Sequence, residues 1–338
     1  MAKSQVEISL GAWGIFCRRD ETLMIISASY KTDIPTFYGE WFMNRLRSGY
    51  CKVVNAYNKR TSHVPLDREA VDAFVFWTKN IGPFYKHLAE IRSLGYPFVI
   101  QHTINNYPRA LETSVVDADR SVQHLRSISN EFGVSVCVWR YDTIVLSSLT
   151  PFDFHLKNFA NLATRLSGCV DEVVVSVAHV YRKTRRNLDS SASELGFSWE
   201  DPDLETKRRL VSALAEIAES KKIRLTVCSQ PDLLSTGAGV ARCVDAERIS
   251  KVVGRDISAK LKGNRKECGC YHSIDIGEYD TCPHGCVYCY AVQNSELALD
   301  RYKRHDPACE FLFVPPPSVL DRDETSKGDQ LTLFPIVE

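Results

Sequence analysis

Short, almost continuously apolar runs alternate along this chain with stretches whose apolar residues fall on one helical stripe. The runs Leu23 to Ala28, Cys51 to Asn55, Ala73 to Trp77, Pro97 to His102, Val134 to Trp139, Glu172 to Val177 and Ile223 to Cys228 predict strands. Strands covered on both faces lose the simple in-out alternation, as in parallel sheets flanked by helices. Leu204 to Lys221 is the clearest helix, with Leu210, Val211, Leu214, Ile217 and Ala218 on one stripe. Thr36 to Ser48, Pro83 to Leu94, Asp117 to Glu131 and Asp153 to Leu166 follow the same rule. The repeated strand-helix order predicts an α/β fold, a complete or partial (β/α) TIM-like barrel, over a sandwich or bundle. No internal repeat is visible.

Three stretches fall outside this rhythm. Residues 1–22 precede the first strand as an extension. Residues 182–203 are polar and read as a long loop, locally basic through Arg182, Lys183, Arg185 and Arg186. That run is either a solvated charged segment or a phosphate-facing patch. From residue 314 on, consecutive prolines and a charged segment read as a flexible tail, leaving 23–313 as the barrel.

Composition narrows the setting. The chain of 338 residues carries 42 basic and 42 acidic side chains, so no global field draws it to nucleic acid or an anionic membrane. No window approaches the roughly 18 apolar residues of a membrane span, and no basic-then-apolar leader is evident, so a cytoplasmic location is expected. Twelve cysteines in a reducing compartment argue for metal ligation or buried thiols over disulfides.

The strand ends are conspicuously polar: Ser29 to Asp33, Thr78-Lys79-Asn80, Gln101-His102-Thr103, Arg140-Tyr141-Asp142, then Ser176 and His179. In α/β barrels the residues that end strands line the active site, so a series of them predicts a shared polar cavity.

Cys282-Pro283-His284-Gly285-Cys286-Val287-Tyr288-Cys289 spaces three thiols as C-x3-C-x2-C. Thiolates are the usual ligands of iron-sulfur clusters, and three on one loop hold three irons of a 4Fe-4S cubane while leaving the fourth open. Gly285 suits a loop that bends tightly around an inorganic core. A zinc knuckle or three unrelated buried thiols is the alternative. Cys228, Cys243, Cys268 and Cys270 form a second set, enough for a second iron-sulfur cluster or a zinc site, since both accept four thiolates. Otherwise Cys228 and Cys243 are core thiols and only the C-x-C pair is functional. Cys17, Cys51, Cys137, Cys169 and Cys309 read as isolated buried or surface thiols.

The C-x3-C-x2-C run with its aromatic resembles the cluster loop of the radical SAM superfamily. Residues 27–35, 74–80, 139–142 and 267–270 resemble an uncharacterised bacterial family, a domain of unknown function with a C-terminal cysteine triad, over about residues 23–313. Spore photoproduct lyase is a distant relative by this likeness. The resemblance implies a 4Fe-4S cluster on Cys282, Cys286 and Cys289, S-adenosylmethionine on the open iron, and an electron donor such as flavodoxin or ferredoxin. It places Tyr288 near the adenine; the strand-end position makes Thr78, Lys79, Gln101, Arg140 and Asp142 candidate cofactor contacts. Among these, Arg140 or Lys79 would meet the methionine carboxylate or an anionic substrate, and Asp142 the ammonium or a ribose hydroxyl. A strand-like segment, Tyr271 to Ile276, precedes a cluster loop near the chain end, so the barrel is expected to be circularly permuted. The paired glycine-acid motif that often binds the methionine amine is absent.

In the tail, Gln330, Leu331, Leu333 and Phe334 resemble the peptide by which bacterial proteins bind the DNA sliding clamp. The leading expectation is therefore a radical SAM enzyme that repairs or modifies DNA or another nucleic-acid substrate. The alternatives are the same chemistry on a small metabolite or peptide, and a metal-stabilised binding or regulatory module without catalysis. No His or carboxylate stands in a diagnostic acid-base arrangement; His284 is either a polar loop residue or a proton donor.

Overall fold

The computed structural model describes residues 24–56, 58–236, 238–263, 267–316 and 319. Among them, β1 (Met24–Ala28), β4 (Val71–Thr78), β5 (Phe98–Thr103), β6 (Cys137–Ile144), β8 (Glu172–Val177), β10 (Arg224–Val227), β11 (Gly239–Val240) and β12 (Ile274–Asp275) form one sheet. All its pairings are parallel. The remaining strands make antiparallel ribbons, β2 (Tyr50–Val54) with β3 (Thr61–Pro65) and β7 (Leu146–Ser147) with β9 (Trp199–Glu200). The order across the sheet is β11-β10-β8-β6-β5-β4-β1-β12. No pairing joins β11 to β12 among the described residues, so the arrangement is that of a partial α/β barrel with an open seam.

The helices are α1 (Ile34–Phe37), α2 (Gly39–Ser48), α3 (Tyr85–Ser93), α4 (Ala118–Phe132), α5 (Phe152–Leu166), α6 (Arg182–Leu195), α7 (Leu204–Ser220), α8 (Ala246–Val253) and α9 (Ser295–Lys303). Their starts follow from capping chemistry: Asp33, Asp203, Asp245 and Asn294 each accept a backbone N–H from the first turn of the helix they precede.

Two faces of the sheet bury different partners. Ile26, Phe74, Phe76, Ile100, Trp139, Val173 and Val175 point toward α2, α3, α4, α5 and α7, which contribute Phe42, Leu88, Leu125, Phe159 and Leu214 to one core. Alternate residues Ile25, Ala73, Val75, Val99, Val138 and Val174 point the other way, onto Val244, Ile249, Ile257 and Cys270. Hence α8 and the chain around it fill the inner face. Each strand with both faces covered reads as a continuous apolar run, which is why the sheet could be predicted.

The structure corrects several expectations. Residues 182–195 are helical, not a loop; the stretch lacks Pro and Gly and buries Thr184 and Leu188. The run at Cys51 is a half-buried ribbon strand outside the main sheet. Val134–Val136 is a 3-10 turn, with β6 starting at Cys137. Tyr38 divides the helix expected over Thr36 to Ser48 into α1 and α2. No helix among the described residues is long and apolar enough to cross a membrane. Residues 1–23 and the peptide at 330–334 lie outside the described residues.

Candidate functional site

The inner face turns from apolar to polar as the strands approach their C-terminal ends. Beyond Ile25, Val75, Val99 and Val138, the next inward residues are Ser27, Trp77, Gln101 and Arg140, with Asp275 alongside on β12. They bond to one another. Trp77 Nε1 donates to Ser27 Oγ at 3.0 Å, and Ser27 Oγ donates to Asp275 at 2.7 Å. Asp275 also accepts from Ser29 Oγ at 2.7 Å, from the Tyr30 N–H at 3.0 Å and from the Gly277 N–H at 3.0 Å. Gly277 is required here, since a Cβ would fall 2.0 Å from Ser29 Oγ. The Arg140 guanidinium stacks over Trp77 at 5.0 Å, pairs with Asp142, and donates to Gln101 Oε1 at 3.1 Å. Burial alone would weaken its basicity, but Asp142 and nearby thiols more than offset that and keep it cationic.

The cysteine triad follows β12 directly, at this polar end. Its loop is stitched antiparallel to residues 111–114: the Val287 N–H donates to the Leu111 carbonyl at 3.1 Å and the Ser114 N–H to the His284 carbonyl at 2.9 Å. Gly285 sits at φ +70 in the left-handed region, where an added Cβ would press on Thr113 at 3.0 Å. His284 Nε2 lies 2.8 Å from Asp33, whose carboxylate also accepts from the Lys79 N–H at 2.7 Å. Burial would raise that carboxyl, yet His284 and the backbone donors hold it below the usual aspartate value. Cys282, Cys286 and Cys289 are half-buried, and desolvation pushes all three thiols up; Cys289 adds to the rise at both Cys282 and Cys286. Ala291 N–H donates to Cys289 Sγ at 3.3 Å.

A second group supports the motif's aromatic residue. Lys79 Nζ donates to Glu112 Oε1 at 2.8 Å and to the Tyr288 hydroxyl at 3.2 Å; the Tyr288 hydroxyl itself donates to Glu112. Asn105 Nδ2 bridges Glu112 at 3.1 Å and Tyr288 at 3.1 Å, which leaves Asn105 Oδ1 buried with no hydrogen-bond partner. Burial would lower the Lys79 pKa, but Glu112 more than offsets it and the amine stays charged.

The second cysteine set converges as well. Cys243 Sγ stands 3.7 Å from Cys228 Sγ and accepts from Arg140 at 3.0 Å. Cys270, with the half-buried Cys228 and Cys268, packs in the same inner-face cluster as Cys243. Among the described residues, no three His, Cys, Asp or Glu side chains are already closed around a common metal-holding point.

Of the residues expected from sequence, the structure joins Lys79 with Tyr288, and Gln101, Arg140 and Asp142 with Cys243. Gln101 Nε2 donates to the Cys243 carbonyl at 2.8 Å. Thr78 stands apart: its hydroxyl turns toward α1, 3.2 Å from Thr36 Oγ1, and accepts the Asn80 N–H. Glu112, Asn105 and Asp275 were not anticipated. Asp275 ends a recognised strand-like segment and obeyed the strand-end rule; Glu112 and Asn105 lie in irregular chain after β5, where no periodicity marks them.

The profile described as Domain of unknown function (DUF1848) matches residues 25–291, and the chain belongs to that family. No curated protein matches it. Among solved structures, a dihydropyrimidinase from Brevibacillus agri NCHU1002 is 11% identical, with 59% of this chain and 38% of that chain covered and a TM-score of 0.28. A D-hydantoinase is 10% identical, with 68% and 44% covered and a TM-score of 0.29. This chain thus spans less than half the length of either, and likeness at that level carries no functional argument.

Proposed function

We propose that this member of the DUF1848 family is a radical SAM iron-sulfur enzyme acting on a nucleic-acid substrate. The observation carrying the reading is the position of Cys282, Cys286 and Cys289. They share one loop directly after a parallel edge strand, at the end where the inner face becomes polar. Three thiols on one loop that bends at a left-handed glycine are the number and kind of ligand that a cubane with one open iron takes. When bound, the cluster and S-adenosylmethionine would supply one-electron radical chemistry for hydrogen abstraction, with Cys282, Cys286 and Cys289 as the residues that would hold the cluster. The electron comes from a flavodoxin- or ferredoxin-type donor.

The chain's own residues position the parts. His284 on Asp33, and the 111–114 stretch, hold the loop. Glu112, Lys79 and Asn105 fix the Tyr288 phenol. Asn105 Oδ1 is a buried acceptor suited to an amino group. Lys79, whose charge is felt by the Cys286 thiol, is the cation assigned to the methionine carboxylate; Arg140 faces the other cysteine set. A nucleic-acid substrate is supported by the basic start of α6, where Lys183 Nζ lies 5.8 Å from the Tyr279 ring and Arg186 donates to the Gln293 carbonyl, both flanking the cluster loop. The clamp-like peptide at 330–334 supports the same substrate class.

Anaerobic purification with iron and sulfide analysis and electron paramagnetic resonance tests the reading. The expected result is a reducible cluster whose signal shifts on adding S-adenosylmethionine, and release of 5′-deoxyadenosine on reduction. Protein without iron at the triad, or iron indifferent to S-adenosylmethionine, overturns it. A peptide of residues 326–338 is expected to bind a purified bacterial sliding clamp; failure removes that support for DNA.

A further inference from the structure

We propose that Cys228, Cys243, Cys268 and Cys270 bind a single zinc ion in a tetrahedral four-thiolate site, distinct from the cluster loop. The sequence spacing leaves a second iron-sulfur cluster and a zinc site equally open; the sulfur geometry separates them. With metal–sulfur bonds of about 2.3 Å, two thiolates on one tetrahedral ion stand about 3.8 Å apart. The Cys228 and Cys243 sulfurs are 3.7 Å apart. In a cubane each thiolate caps a different iron, so ligand sulfurs are splayed across the cluster and do not touch. Cys270 and Cys268 pack in the same inner-face cluster as that pair, which brings all four thiols of the set together.

The surroundings fit an anionic thiolate centre. The Val244 N–H points at Cys270 Sγ at 3.5 Å, and Arg140 donates to Cys243 Sγ at 3.0 Å. Such donors orient sulfur ligands and balance their charge. Gly269, between the paired cysteines, allows close approach: a Cβ there would meet Val240 Cγ1 at 3.1 Å and the Ala241 carbonyl at 3.4 Å. Cys228 follows β10, whereas Cys268 and Cys270 belong to the segment leading to β12. One ion therefore fastens the two sides of the open seam, a structural role for a closed site with no vacant position.

Metal analysis of the full-length protein, isolated without added metal and again after oxygen exposure, reads the site. The expected result is one zinc per chain that persists when iron is lost, with four sulfur neighbours at about 2.3 Å in zinc X-ray absorption. Absence of zinc, zinc with nitrogen or oxygen ligands, or iron at these four thiols overturns the proposal. Cys268→Ser with Cys270→Ser is expected to abolish zinc and leave iron. Because that variant can fail to fold, the converse one decides: with Cys282, Cys286 and Cys289 all changed to Ser, zinc stays and Co2+ replaces it with the absorption of a tetrahedral tetrathiolate. Zinc without iron in the unaltered protein sinks the radical reading and leaves this one standing; iron without zinc does the reverse.

Discussion

Lys79 and Glu112 function as one buried unit. With the Glu112 side chain 4% exposed and bonded to Lys79, Tyr288 and Asn105, loss of the cation strands a carboxylate where water cannot reach it. Lys79→Ala is expected to cost about 3–5 kcal/mol in urea unfolding, whereas Lys79→Met combined with Glu112→Leu recovers much of that. Gly285→Ala puts a side chain into a left-handed backbone against Thr113 and should cost about 1–2 kcal/mol, with iron incorporation falling in the same preparation. Lys79 and Tyr288 could be picked from sequence, one as a strand end and the other by its place before a cysteine. Their shared partners could not. Glu112 and Asn105 acquire meaning only when the stretch after β5 is laid against a loop far later in the chain, as the separation of 176 between Glu112 and Tyr288 makes plain.

At the level of elements, α8 is tied to the sheet by charge. Arg248 donates to Glu172 at 2.6 Å and to the Ser135 carbonyl at 3.0 Å, and Arg224 reaches the same carboxylate at 3.0 Å. Burial would raise the Glu172 carboxyl, but Arg248 and the other donors more than offset this and hold it below the ordinary glutamate value. A folded-state value below the unfolded one means the stabilisation is complete above the usual glutamate range and fades as pH falls through the lowered value. Glu172→Gln should therefore lower the urea midpoint at neutral pH and flatten its decline in acid. In α6, Leu188 is fully buried with Tyr107, Leu111, Phe197 and Tyr288, so Leu188→Ala should cost about 2–5 kcal/mol and loosen the tyrosine. That helix escaped the sequence reading because only Thr184 and Leu188 are buried, too few for an apolar stripe. By contrast β8 was bounded to the residue and β4, β5 and α7 to within two, since the strands carry the dense apolar signal of a doubly covered sheet and α7 a full apolar stripe.

For the molecule as a whole, the sheet grades from a protected middle to two thin margins. β4 and β5 pair on both sides, whereas β11 and β12 are two residues long and pair on one. Hydrogen exchange should be slowest at Phe74–Phe76 and Val99–Gln101 and fastest at the margins, with metal loading slowing the segment around Cys268–Asp275 selectively. The position of β12 in the chain also bears on how the protein is made. All eight strands of the sheet leave the ribosome before Cys282 does, so the cavity wall can assemble while the triad is still being translated. The three triad thiols arrive after the sheet, on a loop that docks on a scaffold already made. Any cofactor the triad takes would therefore be seated after the sheet has formed, as a late act of maturation.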